Sequence, residues 1–410
     1  MVKLGQNFLF GAAVSCFQVE KGVILDRQLL PKRSNHYIHD KSVTMMKNLG
    51  VDACHFSLSW SKMFSNDTTE VNNKCLEFYD KLIDELLANG IVPWVSLFDG
   101  ELPAVLKARY GGWQSKEVSK KFADYTERVT KYYSDRIKNW VTINEIGYGA
   151  DSSHSVNGFQ LLNQHEVNQS IHNLLLGHGL AVQAIRANSH QDANIGFIYT
   201  MDTFYPIPDT EVNLLATREA WYDANTGILL PVLTGLYYER YYKLLELDSL
   251  SYEASDMQVI SSTCDFIGLN YRRNRPVCVS DGKELGFYNK KLNNLKSEHL
   301  NFRSEESFYS DTKLQKKLIA SYYALKFIHE LFPSLAVYII ENESQFTDCT
   351  IPGEEVVDLS RIEYLRDHFE ILSNIKSVGM NLRGYFARSL IGSYSGEYYR
   401  QVVRAAKQVK

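Results

Sequence analysis

Two glutamates occupy nearly identical settings in the two halves of the chain. Asn144-Glu145 follows the apolar run 140–143, and Glu341-Asn342 follows the apolar run 337–340. Short apolar runs rich in β-branched and aromatic residues predict buried strands, so each carboxylate would lie where a strand leaves the core. In barrels of parallel strands, catalytic groups gather at these carboxyl ends. Two carboxylates facing one cleft are typical of acid and nucleophile chemistry on an acetal, whereas either alone would fit a structural salt bridge.

Short apolar runs alternate with longer amphipathic segments along the chain, a rhythm typical of βα units around a parallel sheet. Eight such strands favour the α/β class and a (β/α)8 TIM barrel, which we expect to form a single domain over residues 1–410. Strands are predicted at 8–15, 51–59, 91–98, 137–144, 194–200, 264–270, 336–342 and 382–390. Helices are predicted near 75–87 and at 115–134, 167–188, 211–247, 313–331 and 361–377.

The amino-acid composition and charge of the chain argue against nucleic-acid-binding and membrane-spanning classes of protein. The chain has 410 residues, of which 45% are hydrophobic and 22% charged, enough to bury a large core. The net charge is only -4 and the basic residues are dispersed, so no nucleic-acid partner is expected. No apolar stretch approaches the roughly 18 residues of a membrane span, and the N-terminus lacks the pattern of a secretory signal. Six scattered cysteines without a CxxC pair favour free thiols and a cytoplasmic location.

Six ordered motifs carry a family resemblance over almost the whole chain. They are FLFGAA at 8–13 continuing to QVE at 18–20, FSLSW at 56–60, TINE at 142–145, DFIGLNY at 265–271, YIIEN at 338–342, and RGYFA at 383–387 continuing to SL at 389–390. In these motifs the chain resembles glycoside hydrolase family 1, the retaining β-glycosidases that include β-glucosidases and 6-phospho-β-glycosidases.

The resemblance implies a role for each matching residue. Glu341 would attack the anomeric carbon, and protonated Glu145 would deliver a proton to the leaving oxygen. Gln18 and Asn144 would bind sugar hydroxyls, and Asn270 would orient Glu145. Chemistry supports the same division, because retention needs carboxyl groups about 5 to 5.5 Å apart and so close a pair cannot readily ionise together.

Two departures from the family pattern concern charge near the nucleophile. His55 stands where the family has an arginine, and Arg272 stands where it has a tyrosine that touches the nucleophile. If Arg272 points into the barrel mouth, it would keep Glu341 ionised. The alternative is that Arg272, like Arg273 and Arg275, is a solvated loop cation.

Further departures affect the sugar pocket. Asp99-Gly100 replaces a family His-Trp, Arg388 replaces a tryptophan, and Ser395-Gly396 replaces a Glu-Trp pair. Losing several hydrogen bonds of roughly 1 to 2 kcal/mol each would reduce specificity for an ordinary glucoside on the order of a thousandfold. The sequence therefore predicts an atypical glycone or a bulky aglycone.

Three functions follow from these residues. The first is a retaining β-glycosidase that hydrolyses or transfers a glycosyl group from a small-molecule glycoside. The second is a catalytically weak or inactive barrel that binds a sugar or a protein. The third is a 6-phospho-β-glycosidase, in which Arg388 or Arg400 would hold the phosphate.

No metal or other cofactor is expected. His36, Asp99 and Glu101 lack the close spacing that fixes a divalent ion, and no glycine-rich nucleotide loop occurs. His172 and His178 lie on an amphipathic helix, which favours a structural role for both. The oligomeric state stays open, since tyrosine pairs such as Tyr237-Tyr238 would suit a subunit interface or a core.

Overall fold

Eight parallel strands close into a barrel in chain order, with β8 paired to β1, which confirms the predicted (β/α)8 fold. The computed structural model describes residues 4–5, 7–14, 40–64, 71–146, 164–237, 250–279, 313–340, 359–388, 399–401 and 403–404. The strands are β1 Leu9–Val14, β2 Ala53–Ser57, β3 Val92–Phe98, β4 Asn139–Ile143, β5 Asn194–Pro206, β6 Phe266–Val277, β7 Ala336–Ile340 and β8 Leu382–Arg388.

Ten α-helices lie in these ranges, and none of them is both long and apolar enough to cross a membrane. They are α1 Asp40–Leu49, α2 Trp60–Met63, α3 Asn73–Ala88, α4 Ala104–Tyr110, α5 Lys116–Tyr133, α6 Gln164–Asn188, α7 Glu211–Thr234, α8 Ala254–Ile260, α9 Lys313–Leu331 and α10 Leu359–Ser377. The predicted helix 211–247 is wrong as one continuous helix, and its residues 238–247 lie outside the described ranges. It stops at Thr234 because Gly235 takes a left-handed φ of 73° that ends the helix.

An aromatic layer fills the barrel below its carboxyl end. The ring centroid of Trp94 lies 4.8 Å from that of Phe266, 4.7 Å from that of Tyr338 and 5.1 Å from that of Phe386. Glycine at position 11 makes room for one of these rings, since a Cβ there would lie 2.2 Å from Cδ1 of Phe386. The packed layer leaves the carboxyl end as the side from which a ligand can approach the strand ends.

Two neighbouring strands are much longer than the rest. β5 has 13 residues and β6 has 12, and their pairing continues to Pro206 opposite Val277. On the outer side of β5, the Tyr199 hydroxyl donates to Asn225 of α7 at 2.9 Å. Farther out, Trp221 of α7 packs against Phe327 of α9. The two strands therefore extend past the barrel rim as a ribbon, with one face against helices and the other continuing the inner face of the barrel.

Candidate active site at the carboxyl end of the barrel

Glu145 lies at a sharp backbone kink. Strand β4 ends at Ile143, and the Asn144 amide still donates to the Phe98 carbonyl of β3 at 2.7 Å. Glu145 then takes a φ of 58°, the only positive φ among the described residues other than glycine. Directly afterwards, Ile146 rejoins β5, donating to the Ile198 carbonyl at 2.9 Å. One left-handed residue is thus held between two hydrogen-bonded positions, which costs roughly 1 to 2 kcal/mol for a residue with a Cβ.

Asn270 approaches Glu145 from across the neighbouring strand. Its Nδ2 donates to Oε1 of Glu145 at 3.3 Å, and the residue is only 8% exposed. Phe266, four residues earlier on β6, packs in the barrel interior, so strand alternation turns Asn270 to the same inner side. The structure thus brings together two of the residues singled out in the sequence, and Asn144 lies buried immediately before Glu145.

His55 lies in the inner wall, fully buried on β2. Its Nε2 is 2.7 Å from the Ser96 hydroxyl of β3, and its ring packs edge-on against Phe386. The imidazole is therefore held by neighbouring strands and has no exposed surface. Its contact with substrate stays a prediction.

Several other predicted residues can be placed only in part. Gln18 and Glu341 lie outside the described residues, and so do Ser395 and Gly396. Glu341 follows Ile340, the last residue of β7, whose side chain packs in the barrel interior.

Arg272 belongs to an irregularity in β6. Met201 pairs with Tyr271 and Thr203 pairs with Asn274, so two residues of β6 oppose one of β5, as in a β-bulge. The side chain of Arg272 lies outside the described part, and its role stays a prediction. The alternative that made Arg275 a solvated loop cation is wrong. Arg275 is a strand residue, 17% exposed, that pairs with Asp202.

Three of the residues that depart from the family's sugar pocket, Asp99, Gly100 and Arg388, lie at the carboxyl end of the barrel. Asp99 and Gly100 follow β3 directly, and Gly100 has a left-handed φ of 76°. A tryptophan at this φ would be strained. Arg388 ends β8, in register with Ala13 of β1, and is half-buried.

A buried polar group backs the two strands that carry Glu145 and Asn270. His178 of α6 lies with Nδ1 2.6 Å from the Thr142 hydroxyl of β4 and Nε2 3.3 Å from the Cys264 sulfur. Burial lowers the pKa of His178 to about 3 and raises the pKa of Cys264 to about 12, so both are neutral near pH 7. These contacts agree with the structural role predicted for His178.

A half-buried carboxylate with an amide donor, on a kink at the carboxyl end of a parallel barrel, is suited to proton transfer at a bound ligand. Within the described ranges, no three His, Cys, Asp or Glu side chains converge into a set that could hold a metal ion. The family model of Glycosyl hydrolase family 1 matches residues 22–401. The chain belongs to glycosyl hydrolase family 1. As a family 1 member, it is an O-glycosyl hydrolase of the retaining β-glycosidase type.

Relatives named as β-glucosidases and a glucan glucohydrolase agree with this assignment over nearly the full length of the chain. β-Glucosidase A of Thermotoga maritima is 28% identical over 419 residues, covering 96% of this chain and 90% of the relative. A 1,4-β-D-glucan glucohydrolase of Thermotoga neapolitana is 27% identical over 422 residues, covering 96% and 95%. The solved family 1 β-glucosidase of T. maritima in complex with isofagomine lactam has a TM-score of 0.81 at 26% identity, covering 98% and 99%.

Proposed function

We propose that this family 1 enzyme cleaves β-glycosides by double displacement, with Glu341 as nucleophile and Glu145 as acid and base. The observation that supports it best is the 3.3 Å contact between the Asn270 amide and the Glu145 carboxylate at the barrel mouth. A kinked strand end and a neighbouring amide hold the carboxylate in one orientation, which proton transfer needs. In sequence, Glu341 directly follows Ile340, the last residue of β7, and so stands at the carboxyl end of a barrel strand, where catalytic groups of parallel barrels gather.

In the first step, an oxygen of Glu341 attacks the anomeric carbon while the proton of Glu145 passes to the departing oxygen. The carbon–oxygen bond to the leaving group breaks, and a glycosyl ester forms on Glu341. In the second step, Glu145 accepts a proton from water or from another acceptor hydroxyl, whose oxygen replaces Glu341 at the same carbon. The anomeric configuration is retained because each displacement inverts it once.

In this proposal the remaining site residues either bind the sugar or support the two glutamates. Gln18 and Asn144 bind sugar hydroxyls, because an amide can donate and accept toward a vicinal diol. Asn270 orients Glu145, and Arg272 keeps Glu341 ionised. His55 supports the inner wall of the site from its buried position, where it contacts Ser96.

We further propose that the glycone is atypical or the aglycone bulky. The left-handed Gly100 supports this proposal, since a family tryptophan could not be restored there without strain. Asp99 adds a carboxylate at the end of β3, and Arg388 adds a cation at the end of β8. Arg388 also favours a second candidate, a 6-phospho-β-glycosidase, because a half-buried guanidinium at the mouth suits a phosphate.

Conservative substitution of both glutamates tests the assignment. We expect Glu145→Gln and Glu341→Gln each to abolish turnover while the melting temperature stays unchanged or rises, because a carboxylate is removed without loss of volume. Full activity in either variant would refute the assignment. An inactive parent chain whose melting temperature responds to sugars would instead support a sugar-binding barrel without turnover.

A further inference from the structure

A partly buried ion pair lies on the ribbon that β5 and β6 form beyond the barrel rim. Nη2 of Arg275 is 3.7 Å from Oδ2 of Asp202, and each side chain is 17% exposed. The family motifs do not include either residue. The pair keeps two charges at the carboxyl end of the barrel, where ligands of parallel barrels bind.

Strand alternation turns this pair toward the mouth. Ile198 of β5 packs in the barrel interior, so Thr200 and Asp202 turn to the same side. Thr200 is in register with Asn270, the residue whose amide contacts Glu145. Asp202 therefore lies one alternation farther out, about 6 to 7 Å along the strand from Thr200.

Arg275 reaches the same face in spite of the bulge in β6. It pairs in register with Phe204, which lies two residues beyond Asp202 and therefore shares its face. The ion pair itself shows that the two charged side chains meet there. The mouth face of the ribbon thus carries a carboxylate and a guanidinium just above Asn270.

The position of the ribbon relative to Glu145 defines its part of the site, and this step rests on the proposed function. An acid at Glu145 lies against the glycosidic oxygen, so the leaving group extends from Glu145 toward the rim. β5 is the strand to which Ile146 bonds directly after Glu145. The extension of β5 is therefore the wall next to the leaving group.

We propose that Asp202 and Arg275 form the specificity element for the leaving group and for the acceptor, and that they favour a second sugar over a flat apolar group. A carboxylate accepts hydrogen bonds from hydroxyls, and a guanidinium donates to hydroxyl and ring oxygens. A flat apolar group would remove both charges from water without replacing those bonds, which is costly.

The reaction of a trapped glycosyl-enzyme with an acceptor measures binding at this site alone, because the original leaving group has already departed. The acceptor oxygen bonds to the anomeric carbon, the ester bond to Glu341 breaks with its electron pair returning to the carboxylate, and the acceptor proton passes to Glu145. Azide performs the same displacement without a proton or a sugar ring, and so provides a reference within each variant.

The experiment inactivates the enzyme with a panel of activated 2-deoxy-2-fluoro β-glycosides and measures second-order reactivation rates with cellobiose and with azide. We expect the ratio of the cellobiose rate to the azide rate to fall at least tenfold in the double variant Asp202→Asn with Arg275→Gln, as loss of hydrogen bonds to charged groups predicts. Arg275→Lys, which keeps the charge and loses the planar fork, gives an intermediate ratio.

The matched control is Glu330→Gln, which breaks the Arg218–Glu330 ion pair between α7 and α9. We expect its ratio to equal that of the parent. An unchanged ratio in the double variant, or an equal fall in the control, would overturn the specificity element and leave the proposed function intact. Absence of any glycosyl-enzyme from the whole panel would overturn the proposed function, and the specificity element with it.

Discussion

The backbone kink at Glu145 should reverse the usual order of stability between an alanine and a glycine variant. We expect Glu145→Gly to be more stable than Glu145→Ala, although both remove the same carboxylate. At φ 58° a Cβ costs roughly 1 to 2 kcal/mol. An unfolded chain is more flexible with glycine than with alanine at this position, which lowers the free energy of unfolding of the glycine variant by roughly 0.5 to 1 kcal/mol. The difference favours glycine by about 1 kcal/mol in the free energy of unfolding.

Thermal unfolding measures this difference. The entropy of unfolding is roughly 2.1 cal/mol/K per residue, so in a cooperative transition of a 410-residue chain 1 kcal/mol corresponds to about 1 °C. The matched control is Val92, an exposed residue at the start of β3 whose φ is not positive. There Val92→Ala should be more stable than Val92→Gly, the reverse order. If Glu145→Ala unfolds at the same temperature as Glu145→Gly or higher, the kink does not store this strain.

Three further predictions concern the site and the layers that support it. Asn270→Ala lowers kcat/KM roughly tenfold for an alkyl glycoside, because one hydrogen bond to Glu145 of about 1.4 kcal/mol is lost. A 2,4-dinitrophenyl glycoside needs no proton donor and loses less, so equal losses would exclude a role in proton transfer. Gly11→Ala lowers the free energy of unfolding by about 1 to 3 kcal/mol, because the added Cβ overlaps Phe386. In denaturant titrations, adding Phe386→Leu recovers part of this loss. A Gly11→Ala variant as stable as the parent would contradict the packing of Phe386 against Gly11. Burial lowers the pKa of His178 to about 3, whereas its pKa in the unfolded chain is near 6.5. As the pH falls from about 6.5 toward 3, the unfolded state binds a proton that the folded state does not. The free energy of unfolding therefore decreases by up to about 1.4 kcal/mol per pH unit because of this group. His178→Gln therefore flattens the fall in stability between pH 6.5 and 4.5, and parallel curves for the two proteins would count against it.

The positions of all eight strands could be predicted because buried parallel strands are nearly continuous apolar runs between helical segments. The extensions of β5 and β6 could not. Residues 201–206 and 271–277 contain Asp202 and three arginines, and such a composition is typical of a loop. Only the structure shows that Asp202 and Arg275 compensate each other's charge across the ribbon.

At the site, the sequence placed Glu145 at a strand end but could not predict its left-handed backbone. Positive φ is signalled by glycine or asparagine, and glutamate carries no such signal. The kink arises from hydrogen bonds of Asn144 to β3 and of Ile146 to β5, which no local pattern reveals. The contact with Asn270 likewise depends on two strands that are 125 residues apart in sequence.

Mass analysis of the trapped intermediate tests the central claim most directly. The intact protein is incubated with activated 2-deoxy-2-fluoro β-glycosides, 6-phosphorylated ones included, and any adduct is located by peptide mapping. The fluorine substituent slows both displacement steps, and the activated leaving group restores the rate of the first step only. The glycosyl ester on the enzyme therefore accumulates. We predict a gain of one glycosyl mass on Glu341, and the reacting panel member identifies the glycone. An adduct on another residue, or no adduct with any member, would contradict double displacement through Glu341 and Glu145.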